Sequence, residues 1–223
     1  FLSIAGAVAT LLIWRLVPAD PPRQVESLSI LKDIKKVFAS KPAVFAMLMG
    51  LTFIVGNEMV NVMFGVWMQE THNLQIAALG LASVVIGFSE LGGNGIAAFL
   101  ADRIGKERAI VAGFIANGLG VITLPLLGTS QVGAFIWLVI FFMTFEVALI
   151  STLPLMTEII PQARATMMAL FIASLSLGRA IGDVFGPLLY TGGMWINALA
   201  CFAFNLAAIW LLTRIKINPE KSG

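Results

Sequence analysis

Residues 101–108 read Ala-Asp-Arg-Ile-Gly-Lys-Glu-Arg, and they join two long apolar runs, Gln75–Leu100 and Ala109–Leu127. Each run is long enough to cross the hydrocarbon core of a bilayer, which takes about 20 helical residues. Because the polar stretch between the runs is so short, the two helices have to be antiparallel neighbours. The stretch therefore predicts a membrane protein whose helices are closely connected.

Further apolar runs of comparable length flank this pair: Phe1–Val17, Ala43–Gln69, Val132–Leu153, Ala165–Tyr190 and Met194–Leu212. Within hydrocarbon, only helices and closed barrels satisfy the backbone hydrogen-bonding groups. Barrel strands would alternate in polarity over about 10 residues, and these runs do not alternate. The predicted fold class is an all-α membrane protein with seven transmembrane helices, the last six of which form one bundle.

The composition excludes several other classes of protein. The 223 residues are 59% hydrophobic and 12% charged, whereas a soluble domain has about 25% charged residues. A soluble enzyme, a nucleic-acid-binding protein and a disordered chain are therefore excluded. The single cysteine, Cys201, excludes an internal disulfide framework and a cysteine-based metal site. With no nucleotide-binding motif or cofactor signature, the sequence predicts neither an enzyme nor a nucleotide-driven pump.

The basic residues predict the orientation in the membrane. The connections Glu70–Leu74, Gly128–Gln131 and Thr191–Gly193 contain no Lys or Arg, whereas the alternate connections and the tail, residues 214–223, contain nearly all of them. By the positive-inside rule, the first residue lies outside and the tail lies in the cytoplasm.

The one long connection, residues 18–42, contains an amphipathic stretch. Apolar residues share one helical face, and charged residues occupy the other: Leu28, Leu31, Ile34, Val37 and Phe38 against Lys32, Asp33, Lys35 and Lys36. This pattern predicts a cytoplasmic surface helix within a linker between two domains. An ordinary basic linker is the alternative.

The stretch 101–108 resembles the signature cytoplasmic loop of the major facilitator superfamily, Gly-x-x-x-Asp-Arg-x-Gly-Arg-Arg/Lys. Ala98 stands at the position of the leading Gly, and Glu107 stands where a basic residue is usual. The resemblance implies a domain arrangement in which the N-terminal half of the transporter lies mostly upstream of this chain. The implied domains are the last helix of that half (1–17), an interdomain linker (18–42), a C-terminal six-helix domain (43–213) and the tail (214–223).

A second stretch, Ala173-x8-Gly182-x3-Gly186-Pro187, resembles the glycine-proline motif of antiporters in the same superfamily. That resemblance implies export of the substrate. A structural interpretation is also available, because Ser174, Gly178, Gly182 and Gly186 form a stripe of small residues. Such stripes let a second membrane helix approach closely.

Charged residues inside the predicted spans are the candidate functional groups. Each costs about 2.5–3.5 kcal/mol at a helix centre, so we expect them to face one another, a wet cavity or an ion route: Glu58, Glu90, Glu146, Arg179 and Asp183. Arg179 and Asp183 are four residues apart on one helix face, which predicts an ion pair.

The three glutamates are the candidates for proton coupling. Glu90 is the first choice, because Gly87, Gly92 and Gly93 are expected to bring backbones close around it; Glu58 is second and Glu146 third. The alternative is that each glutamate is simply held by polar groups of a neighbouring helix.

The substrate face is predicted on the second and fifth spans, which line the central cavity in the resembled fold. The candidate residues, at helical spacing, are Asn57, Asn61, Phe64, Met68, Phe142 and Phe145. Amides orient a ligand and aromatic rings provide apolar contact area, which favours amphipathic solutes over sugars. Aromatic stripes that contact lipid or the core are the alternative.

At the cytoplasmic face, the resemblance implies a charge network that stabilises a gate. Its candidate members are Asp102, Arg103, Gly105, Lys106, Arg108, Glu158 and Arg164. Arg103 and Arg108 are expected to reach Glu158, and solvated loop charges are the alternative.

Together these features predict part of a secondary active transporter in the bacterial inner membrane, exporting small amphipathic molecules or metabolites by proton-coupled alternating access. The expected partners are membrane lipid, the N-terminal half of the same transporter, a small-molecule substrate and protons, but not nucleic acid. The alternatives are uptake or exchange of a small polar metabolite, and a non-transporting receptor or scaffold with the same fold.

Overall fold

The computed structural model describes residues 2–16, 30–73 and 76–215, and all regular secondary structure in these ranges is helical. The all-α fold class is therefore confirmed for the part of the chain that the structure describes. The chain divides into two compact units, Phe1–Ile30 and Leu31–Gly223.

The first unit contains one helix, α1, at Leu2–Leu16. Its 15 residues extend about 22 Å at 1.5 Å per residue, whereas the hydrocarbon core is about 30 Å thick. The predicted first span is thus a helix, but its described length does not reach across the bilayer. Phe1 and Val17, the ends of that prediction, lie outside the described residues.

The second unit is a bundle of long helices joined by short turns. The elements are α2 (Ile30–Ala39), α3 (Lys41–Asn61), α4 (Phe64–His72), α5 (Ile76–Ile104), α6 (Lys106–Ile122), α7 (Leu124–Leu127), α8 (Gln131–Ile159), a 3-10 turn (Pro161–Ala163), α9 (Arg164–Tyr190) and α10 (Met194–Leu212). Six helical segments of the described chain are long and apolar enough to cross a membrane. The predicted count of seven is therefore confirmed only for the last six.

Two of the predicted spans are interrupted. The second span consists of α3 and α4, which are separated by a turn at Val62 and Met63. The fourth consists of α6 and α7, which are separated at Thr123, two residues before Pro125. Because proline lacks a backbone N–H, the helix already misses one hydrogen bond at Pro125. An interruption close to this residue therefore loses fewer hydrogen bonds than one elsewhere.

The amphipathic stretch forms helix α2, but its apolar residues do not form one buried face. Val37 is fully buried against the bundle, whereas the side chains of Leu31 and Phe38 are 73% and 58% exposed. Leu28, the first residue of the predicted face, lies outside the described residues. In this helix Val37 is therefore the fully buried side chain, and Ile34 is half-buried.

The stripe of small residues on α9 packs against α3. A Cβ atom added at Gly178 would lie 2.8 Å from the Leu51 carbonyl oxygen, and one added at Gly186 would lie 2.5 Å from Val62 Cγ1. Pro187 follows directly within α9. At these positions the two helices are too close for larger side chains, which is the packing that a stripe of small residues allows.

The bundle has two apolar core clusters, and the candidate site lies between them. One cluster contains Phe53, Phe114 and Phe171, and the other contains Trp137 and Phe141. The polar groups described next therefore lie near the middle of the bundle, away from both ends.

Candidate functional site

A cavity of about 180 Å³ lies among α3, α5, α8 and α9. Its lining residues are Asn57, Glu58, Asn61, Ile86, Glu90, Phe141, Phe142, Phe145 and Arg179. The structure thus brings together two of the predicted proton-coupling candidates and most of the predicted substrate face. Residues from four separate helices meet here, although the sequence places them up to about 120 positions apart.

Glu58 is held by two groups at the wall of this cavity. Asn61 Nδ2 donates a 2.7 Å hydrogen bond to Glu58 Oε1, and Arg179 Nε lies 3.8 Å from Glu58 Oε2. The Glu58 side chain is only 14% exposed. This carboxylate is therefore fixed both by its own helix and by α9.

The predicted ion pair between Arg179 and Asp183 is wrong. Within the described residues, the salt-bridge partner of Arg179 is Glu58, and Asp183 is exposed. The reason is the close approach of α9 to α3, where a Cβ atom at Gly182 would lie 2.5 Å from Glu58 Cβ. Spacing along one helix could not predict this contact, because it depends on how two helices are rotated against each other.

Glu146 lies beside the cavity rather than on its wall. Asn94 Nδ2 donates a 3.1 Å hydrogen bond to Glu146 Oε1, and a Cβ atom at Gly93 would lie 2.7 Å from Glu146 Cβ. The close backbone approach predicted around Glu90 occurs at Gly93, where an added Cβ would lie 2.6 Å from the Met143 carbonyl oxygen, but the carboxyl-bearing residue at this contact is Glu146. At Gly87 an added Cβ would meet no atom within 4 Å.

Glu90 is half-buried on the cavity wall. In the described ranges, its carboxylate has no hydrogen bond or ion pair. The cavity wall therefore carries two carboxyl groups, those of Glu58 and Glu90, and the guanidinium group of Arg179.

Asn57 contributes an unsatisfied acceptor to the cavity. Its side chain is 2% exposed, and Asn57 Nδ2 donates a 2.9 Å hydrogen bond to the Phe53 carbonyl oxygen. Asn57 Oδ1 has no hydrogen-bond partner among the described residues. Because an unpaired buried acceptor costs about 1–3 kcal/mol, this oxygen is suited to receive a donor from a ligand.

Aromatic rings form the apolar part of the wall. Phe142 meets the edge of Phe64 at a centroid distance of 5.8 Å, and Phe145 stacks on Phe53 at 5.6 Å. Phe142 and Phe145 line the cavity, whereas Phe64 contacts Phe142 but is not among the lining residues. Met68, also placed on the substrate face by its spacing, instead lies fully buried in the core.

The sequence reasoning missed Asn197 on α10, which is fully buried. Its Nδ2 atom donates to the Met59 carbonyl oxygen at 2.7 Å and to the Gly186 carbonyl oxygen at 2.9 Å. The first of these carbonyls is freed by the interruption of the second span, because the Met63 N–H donates to Val60 instead. An asparagine inside an apolar run was the available signal, since a buried amide needs partners.

A second missed pair joins α10 to α6. Asn205 Nδ2 donates a 2.9 Å hydrogen bond to Asn117 Oδ1, and both side chains are buried. These amides lie away from the cavity wall and hold helices together. In the described ranges, no group of three His, Cys, Asp or Glu side chains is arranged to hold a metal ion.

In the predicted gate network, Glu158 forms an ion pair, but its partner is not the one expected. Lys106 forms the ion pair with Glu158, whereas Arg103 lies over the Phe99 ring at 4.7 Å. The expected pairing of Arg103 or Arg108 with Glu158 is therefore wrong. Between Arg103 and Lys106 the chain turns at Gly105, with φ +83°, a conformation that glycine adopts without strain.

The remaining predicted members of this network are solvated. Asp102, Arg108 and Arg164 are exposed, and no ion pair of theirs occurs within the described part of the chain. The alternative of solvated loop charges applies to these three residues.

The fold and the site define an integral membrane protein with a small cavity among four of its helices, lined by carboxyl, amide, guanidinium and phenyl groups. The family model described as "Major Facilitator Superfamily" matches residues 1–159 and 46–223. The chain belongs to this family of secondary transporters, as the resemblance of residues 101–108 predicted.

One curated relative is the "Uncharacterized MFS-type transporter YceJ" of Bacillus subtilis (strain 168), which is 24% identical to the chain over 209 residues. The match covers 90% of this chain and 52% of that protein. The chain therefore spans about half the length of the curated relative that it matches.

Proposed function

We propose that this chain supplies the C-terminal half, together with the last helix of the N-terminal half, of a proton-coupled transporter that exports small amphipathic molecules or metabolites. The observation that carries the proposal is the central cavity, where Glu58, Glu90 and Arg179 face phenyl rings. A site of this kind offers both an exchangeable proton and a surface for an apolar ligand.

The charge balance of the site supports proton coupling. Glu58 has Asn61 and Arg179 as partners, and Glu146 has Asn94. Glu90 has neither, so no side chain of the described residues holds its carboxyl group on the cavity wall. A carboxyl group inside a membrane span that faces a cavity is a candidate for a proton route.

The wall chemistry supports an amphipathic substrate. Asn57 Oδ1 offers a free acceptor, and Phe141, Phe142 and Phe145 supply apolar area. A sugar would need many convergent polar groups, which the three rings do not supply. The facing half of the transporter would complete the site, because alternating access occurs between two halves that rock about a shared cavity.

The direction and location of transport are inferred from the sequence. Export follows from the antiporter-like stretch 173–187, and a cytoplasmic tail follows from the basic connections. A location in the bacterial inner membrane is part of the same proposal. In this arrangement, the Lys106–Glu158 pair lies at the cytoplasmic end.

The proposal is tested by dye export from cells that express the full-length transporter in place of the deleted gene. With ethidium as the aromatic cationic probe, the wild type is expected to lower accumulation, and Asn57→Ala is expected to lose most of this effect. Asp33→Asn on helix α2 is the matched control, since Asp33 lies outside the cavity lining. Equal accumulation in the presence and absence of the gene, across a panel of aromatic amines and neutral amphiphiles, would contradict export.

A further inference from the structure

Helix α2 presents large apolar side chains on its surface, directly beside a lysine. Leu31 and Phe38 are both largely exposed, and they lie seven residues apart, which is close to two helical turns. Lys35, also exposed, is four residues after Leu31 and three before Phe38, so it lies between them on the same side of the helix. Val37, by contrast, is fully buried in a core cluster of the bundle. The exposed side of α2 is therefore a stripe formed by Leu31, Lys35 and Phe38.

The charges of this helix do not balance. Lys32, Lys35 and Lys36 are exposed, whereas Asp33 is the one acidic residue of α2. None of the three lysines has an ion pair within the described ranges. Asp33 is half-buried and lies four residues before Val37, on the side of the helix that faces the bundle. The surface around the exposed stripe is therefore positively charged.

The connection to α3 fixes the level at which α2 lies. Only Ser40 separates α2 from the membrane-crossing segment Lys41–His72, and its backbone is extended, with φ −87° and ψ 109°. That segment has 32 residues, which extend about 48 Å as a helix, whereas a bilayer with its headgroups is about 40–45 Å thick. Lys41 therefore lies among the headgroups, and α2 lies beside them.

We propose that the exposed side of α2 binds the anionic lipid surface at which α3 enters the membrane. The side chains of Leu31 and Phe38 enter the boundary between headgroups and acyl chains, and the three lysines bind lipid phosphate groups. Amphipathic helices with lysines beside an apolar side lie in the membrane interface in this way. Val37 holds the other side of α2 to the bundle. The proposal does not depend on the direction or the substrate of transport.

The lysines favour lipid over a second protein surface as the partner of this stripe. A protein interface would take unpaired ammonium groups out of water, which is costly unless each finds an acidic partner. At a lipid surface, a lysine keeps its ammonium group among the headgroups while its methylene chain contacts apolar groups. The facing half of the transporter is therefore the alternative that the experiment has to distinguish.

The experiment measures hydrogen–deuterium exchange of the backbone amides of residues 30–39 in the purified full-length protein. The protein is placed in nanodiscs of phosphatidylcholine alone and in nanodiscs with an equal share of phosphatidylglycerol. Exchange of this segment is expected to be at least about tenfold slower with phosphatidylglycerol, since each basic residue near an anionic surface contributes about fivefold.

Two lysine variants separate charge from other effects. In the phosphatidylglycerol nanodiscs, Lys35→Gln is expected to make exchange about fivefold faster, and Lys35→Arg, which keeps the charge, is expected to match the wild type. In phosphatidylcholine alone, both variants should match the wild type. Arg164→Gln is the control, since Arg164 is an exposed basic residue that begins α9, and it should change neither rate.

A substitution of the apolar part tests insertion into the interface. Phe38→Ser should make exchange faster in both kinds of nanodisc, whereas Ala39→Ser, an exposed change outside the stripe, should have little effect. The proposal is overturned if exchange is equally slow in both lipid compositions, as a cover by the facing half would make it. It is also overturned if Lys35→Gln keeps the wild-type response to phosphatidylglycerol, or if Arg164→Gln loses that response as fully.

Discussion

Gly182 on α9 lies directly against Glu58 on α3, so that a Cβ atom at residue 182 would come within 2.5 Å of Glu58 Cβ. Because Glu58 lines the cavity, this contact affects both the packing of the two helices and the polar groups of the site. It brings Arg179, one turn earlier on α9, beside the Glu58 carboxylate.

Substitution of Gly182 is therefore expected to disturb both stability and the site. Gly182→Ala should lower the free energy of unfolding by about 1–3 kcal/mol, because the added methyl group overpacks a helix contact. Thermal unfolding of the purified protein in detergent measures this loss.

Gly95→Ala is the matched control on a neighbouring helix. An added Cβ at Gly95 meets no atom within 4 Å, so this change should be neutral or slightly stabilising. Equal losses for the two variants would show that the contact at Gly182 is not as close as described.

The pairing of Arg179 with Glu58 predicts a measurable coupling between these two residues. A double-mutant cycle with Glu58→Gln and Arg179→Gln should give about 0.5–1 kcal/mol, a modest value because the Arg179 side chain is 57% exposed. The same cycle with Arg179→Gln and Asp183→Asn should give a smaller value. A larger coupling to Asp183 would restore the pairing that helical spacing alone predicted.

Asn197 is predicted to hold the interruption of the second span in place. Asn197→Ala removes the donor to two buried carbonyl groups, and the Met59 carbonyl, which lacks its helical partner, is then left unsatisfied at a cost of about 1–3 kcal/mol. Unfolding in detergent should therefore show a loss of about 1–3 kcal/mol. Ser176→Ala, an exposed change on α9, is the control and should have little effect; a similar loss there would contradict the assignment.

The Lys106–Glu158 pair is expected to affect conformational switching more than stability. Both side chains are nearly half exposed, at 44% and 46%, so Lys106→Gln should change the free energy of unfolding by less than about 1 kcal/mol. If the pair stabilises a closed gate, transport should fall in the single variants and recover in the exchanged pair, Lys106→Glu with Glu158→Lys. If the exchanged pair does not recover transport, the two side chains do not act as a pair, and both charges are simply solvated.

The helices of the last six predicted spans could be predicted from the sequence, because the apolar runs fix them locally. The small-residue stripe from Gly178 to Gly186 was also predictable, since period and side-chain size are both sequence properties. Partner choices were not predictable. Arg179 pairs with Glu58 rather than Asp183, and Lys106 rather than Arg103 reaches Glu158, because both outcomes depend on helix rotation and on a glycine turn.

The buried asparagines outside the cavity wall were also not predicted from the sequence. Asn197 and the Asn117–Asn205 pair bind groups on other helices, and the sequence gives no register between distant helices. Their buried amides could have been noted as costly, but their partners could not have been named.

The central claim is that the Glu90 carboxyl group exchanges the proton that drives transport. Its most direct test is proton flux in proteoliposomes containing the full-length transporter, followed with an internal pH dye while an outwardly directed substrate gradient is imposed. The wild type and the Asp33→Asn control should move protons when the substrate gradient is imposed. Glu90→Gln should bind substrate but move no protons. Wild-type proton flux in Glu90→Gln would contradict the account.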